Sequence, residues 1–220
     1  MSEVSTREFW QSLYEKGRTG WDLGGPTPVF QRLIDAGRLK PGRMVVLGAG
    51  RGYDARIFAH HGFQVTAVDF APAAIDELHS RNEEKAPLVI VKADIFNLDP
   101  ALFGDFDYVL EYTFYCAIDP HRRAQYATVV DRLLKPGGKF VGLAFPVGEE
   151  DRLPGEPPGG PPYAVSADEL VSLLEARGFS LQHRETPPDS VPGRLGREEL
   201  LILQKQDLTS SAAAGDAPVT

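Results

Sequence analysis

The sequence has almost no cysteine and no long hydrophobic run. Cys116 is the single cysteine among 220 residues, so no disulfide can form within the chain. No apolar stretch reaches the roughly 18 residues that a membrane-spanning helix needs. The sequence has no charged segment followed by an apolar stretch, so no signal peptide is predicted. We therefore expect a cytoplasmic protein that has no membrane partner.

Positive charge is also scarce. The chain has 23 Lys and Arg against 31 Asp and Glu, which gives a formal net charge of −8. Binding to a phosphate backbone requires clustered basic residues, so nucleic acid is not an expected partner. The five histidines show no metal-ligand spacing and no cysteine cluster accompanies them, so no metal is predicted. A small anionic ligand is compatible with this charge, because local dipoles can hold it.

The length and the composition, 42% hydrophobic and 25% charged, are typical of one globular domain. We assign that domain to residues 1–206 and expect a disordered tail over 207–220, where the sequence is small, polar and aperiodic. Two helices are predicted within residues 1–40. The segment 146–163 is rich in Pro and Gly and has no periodicity, which is typical of a loop at a functional site.

From residue 43 onwards, predicted strands alternate with predicted helices. The first strand is the short apolar run "MVVL", and the second is "FQVTAVDF", rich in β-branched residues. Alternation of this kind predicts βαβ units with a parallel sheet. The fold class is therefore α/β: a Rossmann-like, doubly wound and mostly parallel sheet of seven strands, with helices on both faces.

A glycine-rich turn follows the first strand. In "VVLGAGRGYD", Gly48, Gly50 and Gly52 precede a helix, and Asp69 lies 21 residues beyond Gly48 at the end of the second strand. Glycines allow the backbone to approach a ligand, and a carboxylate at this place can accept hydrogen bonds from two ribose hydroxyls. The spacing G-x-G-x-G places Tyr53 where a dinucleotide fingerprint has its third glycine. This favours an adenosine ligand without a pyrophosphate, such as S-adenosylmethionine.

"KADIF" supports the same interpretation, because Asp94 can bind an adenine amino group and Ile95 can pack on its ring. An NAD-dependent oxidoreductase is the first alternative, and the glycine spacing argues against it. A non-catalytic nucleotide-binding module is the second. The aromatic residues after the fourth strand and the long Pro-Gly loop make that module less compatible with the sequence.

Several longer motifs resemble one family. They are "FWQSLYEKGRTGWDLGGPTP", "VLGAGRGYD", "EYTFYCAIDPHRR", "LLKPGGKFVGLAFP", "GGPPYAVS" and "VPGRLGREEL". Together the chain resembles a class I S-adenosylmethionine-dependent methyltransferase, specifically the thiopurine S-methyltransferase superfamily and its halide, thiocyanate and thiol methyltransferase branch. The resemblance implies a small soft nucleophile as methyl acceptor and S-adenosylhomocysteine as a product. The branch generally has Asp where Glu111 stands, which bears on the shape of the acceptor pocket.

The resemblance also implies roles for individual residues. Aromatic residues of the N-terminal segment would line the cofactor site, so that "TGWDLGGPTP" acts with the preceding helix as an N-terminal helical lid. The alternative is that this stretch is a structural plug packed in the core between two short helices. The implied cofactor-binding residues are Trp10, Tyr14, Trp21, Gly48, Gly50, Asp69, Asp94, Ile95 and Tyr112. The candidate acceptor pocket comprises Phe114, Tyr115, Phe145, Tyr163 and Arg194. For each aromatic residue the alternative is packing in the core. For Arg194 the alternative is an arginine on a solvated loop.

Transfer of a methyl group to a soft nucleophile needs positioning and exclusion of water more than acid–base help. Tyr112 and Tyr115 are the candidate catalytic residues, because either could assist an acceptor that carries a proton. An O-methyltransferase of a small phenolic or hydroxyquinoline-like metabolite is the alternative within the same fold. That reaction would call for a general base, and none is evident in the sequence. We expect a monomer whose partner is a small molecule.

Overall fold

The computed structural model describes residues 3–83, 87–145 and 160–207. Within these residues the helices are α1 (Arg7–Glu15), α2 (Pro28–Asp35), α3 (Tyr53–His60), α4 (Pro72–Ser80), α5 (Arg123–Leu133) and α6 (Ala167–Glu175). The strands are β1 (Arg43–Leu47), β2 (Gln64–Asp69), β3 (Val89–Lys92), β4 (Phe106–Tyr112), β5 (Leu134–Ala144), β6 (Phe179–Glu185) and β7 (Glu199–Lys205).

The strands form a seven-stranded sheet in the order β3-β2-β1-β4-β5-β7-β6. The first five of these pair in parallel, whereas β7 runs antiparallel to both β5 and β6. The predicted mostly parallel, doubly wound sheet is therefore confirmed. The chain order reverses between β1 and β4, and open α/β sheets bind ligands outside the carboxyl ends of the strands at such a point.

The sheet is covered on both faces, as predicted. Val45 and Val109 belong to a buried layer with residues of α5 and α6. Met44 and Val46, which alternate with Val45 along β1, belong to a second buried layer with residues of α2, α3 and α4. Because side chains alternate between the two faces of a strand, the apolar run of β1 contributes to both layers.

The start of the fifth strand differs from the prediction. The sequence "KPGG" predicted a turn between α5 and the fifth strand, but β5 already begins at Leu134. Phe106 pairs with Leu134 and the next pairing joins Tyr108 to Lys139, so residues 135–138 form a bulge within the strand. The bulge has a physical reason, since proline has no N–H for the ladder and glycine accepts the left-handed backbone found here.

The first two helices precede the sheet, as predicted, and α1 lies against α4. The side-chain oxygen of Gln11 accepts a hydrogen bond from the backbone N–H of Ala73 at 2.9 Å, which caps the first turn of α4. Most of the predicted 146–163 loop, residues 146–159, and nearly all of the predicted tail lie outside the described residues. Across the described ranges, no helix has the length and apolar character to cross a bilayer.

Candidate functional site

A cleft of about 920 Å³ opens at the carboxyl edge of the sheet. It lies between α1 and the segment 17–23 on one side and the turns that follow β1, β2 and β4 on the other. Its volume falls in the range of about 300–1,000 Å³ that is usual for small-molecule sites. The cleft brings together nine of the predicted site residues: Trp10, Tyr14, Trp21, Gly48, Gly50, Asp69, Phe114, Phe145 and Arg194.

The turn after β1 is shaped by its glycines. Gly48 has φ 62° and Gly50 has φ 54°, a left-handed conformation that side chains with a Cβ rarely adopt. A Cβ on Gly48 would stand 2.1 Å from Cδ2 of Phe114, so only glycine permits the turns after β1 and β4 to approach this closely. The backbone of the turn thus lines the cleft directly, as close approach to a ligand requires.

Asp69 ties the glycine turn to the end of β2. Its Oδ2 accepts a hydrogen bond from the N–H of Gly50 and its Oδ1 accepts one from the N–H of Ala71, both at 2.9 Å. Only 9% of its surface is exposed, and burial raises the pKa of the carboxyl. The N–H of Phe70 also interacts with this carboxylate. Since a carboxylate has about four acceptor sites, it retains capacity to accept from a ligand in the cleft.

Three aromatic side chains of the N-terminal segment form a cluster above this edge. The ring of Trp21 packs edge-on against Trp10 and against Tyr14, each with ring centroids 5.5 Å apart. The hydroxyl of Tyr14 lies 3.4 Å from the position that a Cβ on Gly50 would occupy. Burial, together with the charge of Asp69, raises the pKa of Tyr14, so its hydroxyl stays protonated. The aromatic cluster therefore lies directly over the glycine turn.

Ionic and hydrogen-bond contacts hold the segment in that position. Arg51, in the glycine turn, forms an ion pair with Asp22 at 2.7 Å, beside Trp21. The buried Thr27 donates its N–H and its hydroxyl to the carboxylate of the half-buried Asp54 at 2.7 and 2.8 Å. The part of the chain that follows Trp21 is thus fixed to the glycine turn and to the first turn of α3.

Arg194 is buried at the other end of the cleft, with 7% of its surface exposed. It donates hydrogen bonds to the hydroxyl of Tyr112 and to the backbone carbonyl of Trp21, the latter at 3.0 Å. Its guanidinium lies 4.6 Å from the centroid of the Phe145 ring. The hydroxyl of Tyr112 in turn donates to the carboxylate of Glu198, which is 1% exposed. The sequence alternative, a solvated loop arginine, does not describe Arg194.

The remaining predicted site residues lie elsewhere. Tyr115 is 1% exposed and packs against Tyr126, so it belongs to the core rather than to the cleft. Tyr112 lines a small adjoining cavity of about 80 Å³ beside Gly48, and its hydroxyl is engaged by Arg194 and Glu198. These positions argue against acid–base roles for both tyrosines, and burial raises the pKa of each.

Asp94, Ile95 and Tyr163 do not line the cleft. Asp94 caps a 3₁₀ turn by accepting the N–H of Phe96 at 3.0 Å, and Ile95 is buried in the core. Tyr163 donates its N–H to the carbonyl of Cys116 at 2.7 Å, while the two prolines before it line the cleft. Their predicted ligand contacts stay predictions. Among the residues that the structure describes, no group of side chains is arranged to hold a metal ion.

A cofactor of the adenosine type fits this arrangement. Bare glycine backbone, a buried carboxylate with free acceptor positions and an aromatic cover converge on one cleft. The cleft contains polar groups at the glycine turn and mostly apolar groups elsewhere, which suits a ligand with a ribose and a planar base.

The comparisons with known proteins agree with this geometry. The family model for thiopurine S-methyltransferase matches residues 5–197. The chain is 36% identical over 204 residues to "Probable thiol methyltransferase 2" of Arabidopsis thaliana, covering 91% of this chain and 85% of that protein. It is 32% identical over 194 residues to "Thiocyanate methyltransferase 1" of the same plant, covering 87% and 82%.

A solved structure supports both the fold and the ligand class. The Burkholderia thailandensis 1,6-didemethyltoxoflavin-N1-methyltransferase, crystallised with S-adenosylhomocysteine, superposes with a TM-score of 0.69 at 25% identity. The superposition covers 93% of this chain and 88% of that one.

Proposed function

This chain belongs to the thiopurine S-methyltransferase family of S-adenosylmethionine-dependent methyltransferases, and we propose that its acceptor is a small, soft nucleophile such as a thiolate, thiocyanate or halide. The observation that carries the proposal is the buried guanidinium of Arg194 among aromatic rings at one end of the cleft. In the described part of the chain, Arg194 donates to a phenol hydroxyl and to backbone carbonyls, all uncharged, and it reaches the carboxylate of Glu198 only through the hydroxyl of Tyr112. Its guanidinium can therefore still attract an anion.

The cofactor end of the proposed site is the glycine turn. We assign the ribose hydroxyls to Asp69 and the close backbone approach to Gly48 and Gly50. Trp10, Tyr14 and Trp21 are assigned to cover the cofactor. When bound, S-adenosylmethionine supplies a methyl group that its positively charged sulfur has already activated. Aromatic faces attract a cation and exclude water, so these rings suit a sulfonium.

The acceptor end is assigned to Arg194, Phe145 and Phe114. The rings of Phe145 and Phe114 provide polarizable apolar walls, and Arg194 attracts a negative charge into them. A cation in a desolvated cleft interacts with an anion much more strongly than it would in water. In-line attack then depends on holding the acceptor within about 3–3.5 Å of the methyl carbon.

The same geometry disfavours the phenolic alternative. A phenol requires a general base, and the pKa values of Tyr112 and Tyr115 are both raised by burial. With raised pKa values, these tyrosines retain their protons and cannot remove one from a substrate. A thiolate, thiocyanate or halide ion carries no such proton, so the site as built is sufficient for it.

We also propose that the protein acts as a monomer in the cytoplasm. Large apolar side chains that are exposed in the described part of the chain, Val89, Leu181 and Leu195, are single residues on different elements. Scattered residues of this kind do not form an interface patch. The net charge of −8 is consistent with a protein that does not bind nucleic acid.

A panel of acceptors tests the proposed function. Release of S-adenosylhomocysteine is measured with iodide, thiocyanate, small thiols and phenols at equal concentration. We expect turnover with the anionic and thiol acceptors and little or none with the phenols, because the described residues place no general base at the acceptor end. Turnover with phenols alone would establish the alternative function. If S-adenosylmethionine does not bind in a calorimeter, the cofactor assignment itself is wrong.

Replacement of Trp21 tests whether the N-terminal segment acts as a lid. In Trp21→Ala, both edge-on ring contacts of the aromatic cluster are lost. Such contacts contribute about 0.5–1.5 kcal/mol each, so we expect the affinity for S-adenosylhomocysteine to fall about tenfold. The catalytic rate should fall with it, since the cleft would admit water. Isothermal titration calorimetry and steady-state kinetics measure the two effects.

The matched control is Trp21→Phe, which keeps an aromatic ring in the cluster and should retain most of the affinity. A structural plug would behave differently: Trp21→Ala would lower the melting temperature and leave the dissociation constant unchanged. That result would contradict the proposal that the N-terminal segment acts as a lid.

A further inference from the structure

Glu111 is a buried carboxyl at the end of β4 that has no assigned role. It is 1% exposed, and its Oε1 accepts hydrogen bonds from the N–H groups of Phe114 at 3.0 Å and Tyr115 at 2.7 Å. One side-chain oxygen therefore binds both donors of the turn that follows the strand. Hydrogen bonds to a charged acceptor are among the stronger ones in proteins.

The turn that Glu111 holds is strained. Thr113 has φ 58°, and among the described residues it is the non-glycine residue with a positive φ. A left-handed backbone at a residue with a branched Cβ persists only where surrounding contacts enforce it. The two hydrogen bonds to Glu111, on the residues directly after Thr113, are such contacts.

The conformation of this turn determines where Phe114 lies. Its ring occupies the space above Gly48, with Cδ2 2.1 Å from the position a Cβ would take. Thr113, Phe114 and Cys116 line the cleft, whereas the ring of Tyr115 points into the core. Phe114 thus forms the wall where the acceptor end of the cleft meets the glycine turn.

We propose that Glu111 is a positioning residue for methyl transfer, which fixes the turn 113–115 so that the ring of Phe114 holds the acceptor in line. The inference rests on the proposed function, because it concerns the acceptor end of the same cleft. Glu111 does not line the cleft, so it acts through Phe114 and not by touching the acceptor.

The charge state of Glu111 provides a readout that a purely structural residue would not have. Its Oε2 is buried without a hydrogen-bond partner, and burial raises the pKa of the carboxyl to about 7. The groups that interact with its charge are Tyr115 and Cys116 on the following turn and Tyr126 on α5. The positive charge of Arg123 partly offsets the effect of burial on the pKa of Tyr115 and of Cys116, and that of Arg194 does so for the pKa of Cys116. These cations therefore surround the same turn as the carboxylate of Glu111.

The sign of the pH effect follows from these groups. Above a pH of about 7 the carboxyl is ionised and accepts both N–H groups strongly. Below that pH it is protonated, the two bonds weaken, and the turn loosens. With iodide or thiocyanate, whose own charge does not change in this range, kcat/KM of the wild type should rise through pH 7 and then level off.

The experiment compares Glu111→Gln and Glu111→Met with the wild type, using iodide or thiocyanate as the acceptor. Gln keeps the Oε1 acceptor and cannot ionise. We therefore expect E111Q to retain kcat/KM within about threefold at pH 7 and to lose the rise with pH. Met keeps the volume and accepts neither N–H, so kcat/KM for the acceptor should fall at least tenfold. The affinity of both variants for S-adenosylhomocysteine should stay within about threefold of the wild type.

A stability control separates positioning from general loss of packing. Leu174→Ala removes a fully buried side chain of α6 that does not line the cleft, and it should lower the melting temperature without changing kcat/KM. If E111M loses no more kcat/KM than L174A at matched stability, or if E111Q keeps the pH profile of the wild type, the proposal is overturned. A wild type without turnover on any soft nucleophile overturns the proposed function instead. Cofactor binding and melting temperatures would still be measurable in that case.

Discussion

Replacement of Asp69 with alanine is expected to weaken the binding of S-adenosylmethionine and S-adenosylhomocysteine at least tenfold, and about 100-fold if both ribose hydrogen bonds are lost. A hydrogen bond to a charged group contributes about 1.5–3 kcal/mol. At the lower end of that range, the loss of one bond corresponds to about tenfold and the loss of two to about 100-fold. The substitution also frees the N–H groups of Gly50 and Ala71, which loosens the glycine turn itself. Titration calorimetry with S-adenosylhomocysteine measures the loss.

Asp69→Asn and Asp99→Ala complete this experiment. Asparagine keeps one acceptor oxygen, so its affinity should lie between those of the wild type and D69A. Asp99 also accepts a backbone N–H, that of Ala101 at 2.9 Å, but it is exposed and does not line the cleft. D99A should therefore bind the cofactor normally. If the affinity of D69A were unchanged, the ribose would have to be held by a different residue.

The fold could be predicted because its signals are local. The apolar run of β1, the glycine turn and the acid at the end of β2 follow one another within a single βαβ unit. A buried parallel strand is continuously apolar, and a strand, a turn and a helix each have a characteristic period. The antiparallel direction of β7 had no signal of its own, because residues 186–198 separate β6 from β7 and form no tight hairpin turn.

The site was harder to predict from the sequence than the fold, because its contacts join segments that are far apart in the chain. Tyr112, Arg194 and Glu198 meet only because the end of β4 and the segment before β7 reach the same edge of the sheet, with β5 between the two strands. No short spacing encodes that meeting, so Glu198 was missed and Arg194 was placed at the surface as readily as in the pocket. The only signal in the sequence was the cluster of charged residues in "GRLGREEL", which leads into the apolar strand β7.

The aromatic residues after β4 show a second limit. Phe114 and Tyr115 are adjacent and chemically similar, and the sequence predicted both for the acceptor pocket. Both rings pack near Tyr126, but the left-handed backbone at Thr113 and the 3₁₀ turn that begins at Tyr115 leave only one of them at the cleft. Of the two, Phe114 lines the cleft. A sequence pattern does not encode the direction in which each of two adjacent rings points.

Replacement of Arg194 should have the second large effect, and it should fall on the acceptor. In Arg194→Met the volume is largely kept, while the positive charge that we assign to the anion is removed. Truncating a buried, hydrogen-bonded charge typically costs about 2–5 kcal/mol, so we expect kcat/KM for thiocyanate or iodide to fall about 100-fold. Because the assigned cofactor contacts lie at the glycine turn, the affinity for S-adenosylhomocysteine should change far less.

Two further variants identify the charge as the cause. Arg194→Lys keeps the charge but cannot reach Tyr112 and the carbonyl of Trp21 together, so it should recover part of kcat/KM. Arg197→Met removes an equal charge from the same segment. The guanidinium of Arg197 lies 5.6 Å from the centroid of the Phe145 ring but does not line the cleft, so this variant should lose far less anion turnover than R194M. If R194M and R197M lose the same activity, the effect is one of general electrostatics. If R194M instead loses cofactor affinity and acceptor turnover equally, Arg194 acts by holding the segment that contains Trp21, and the anion site must lie elsewhere in the cleft.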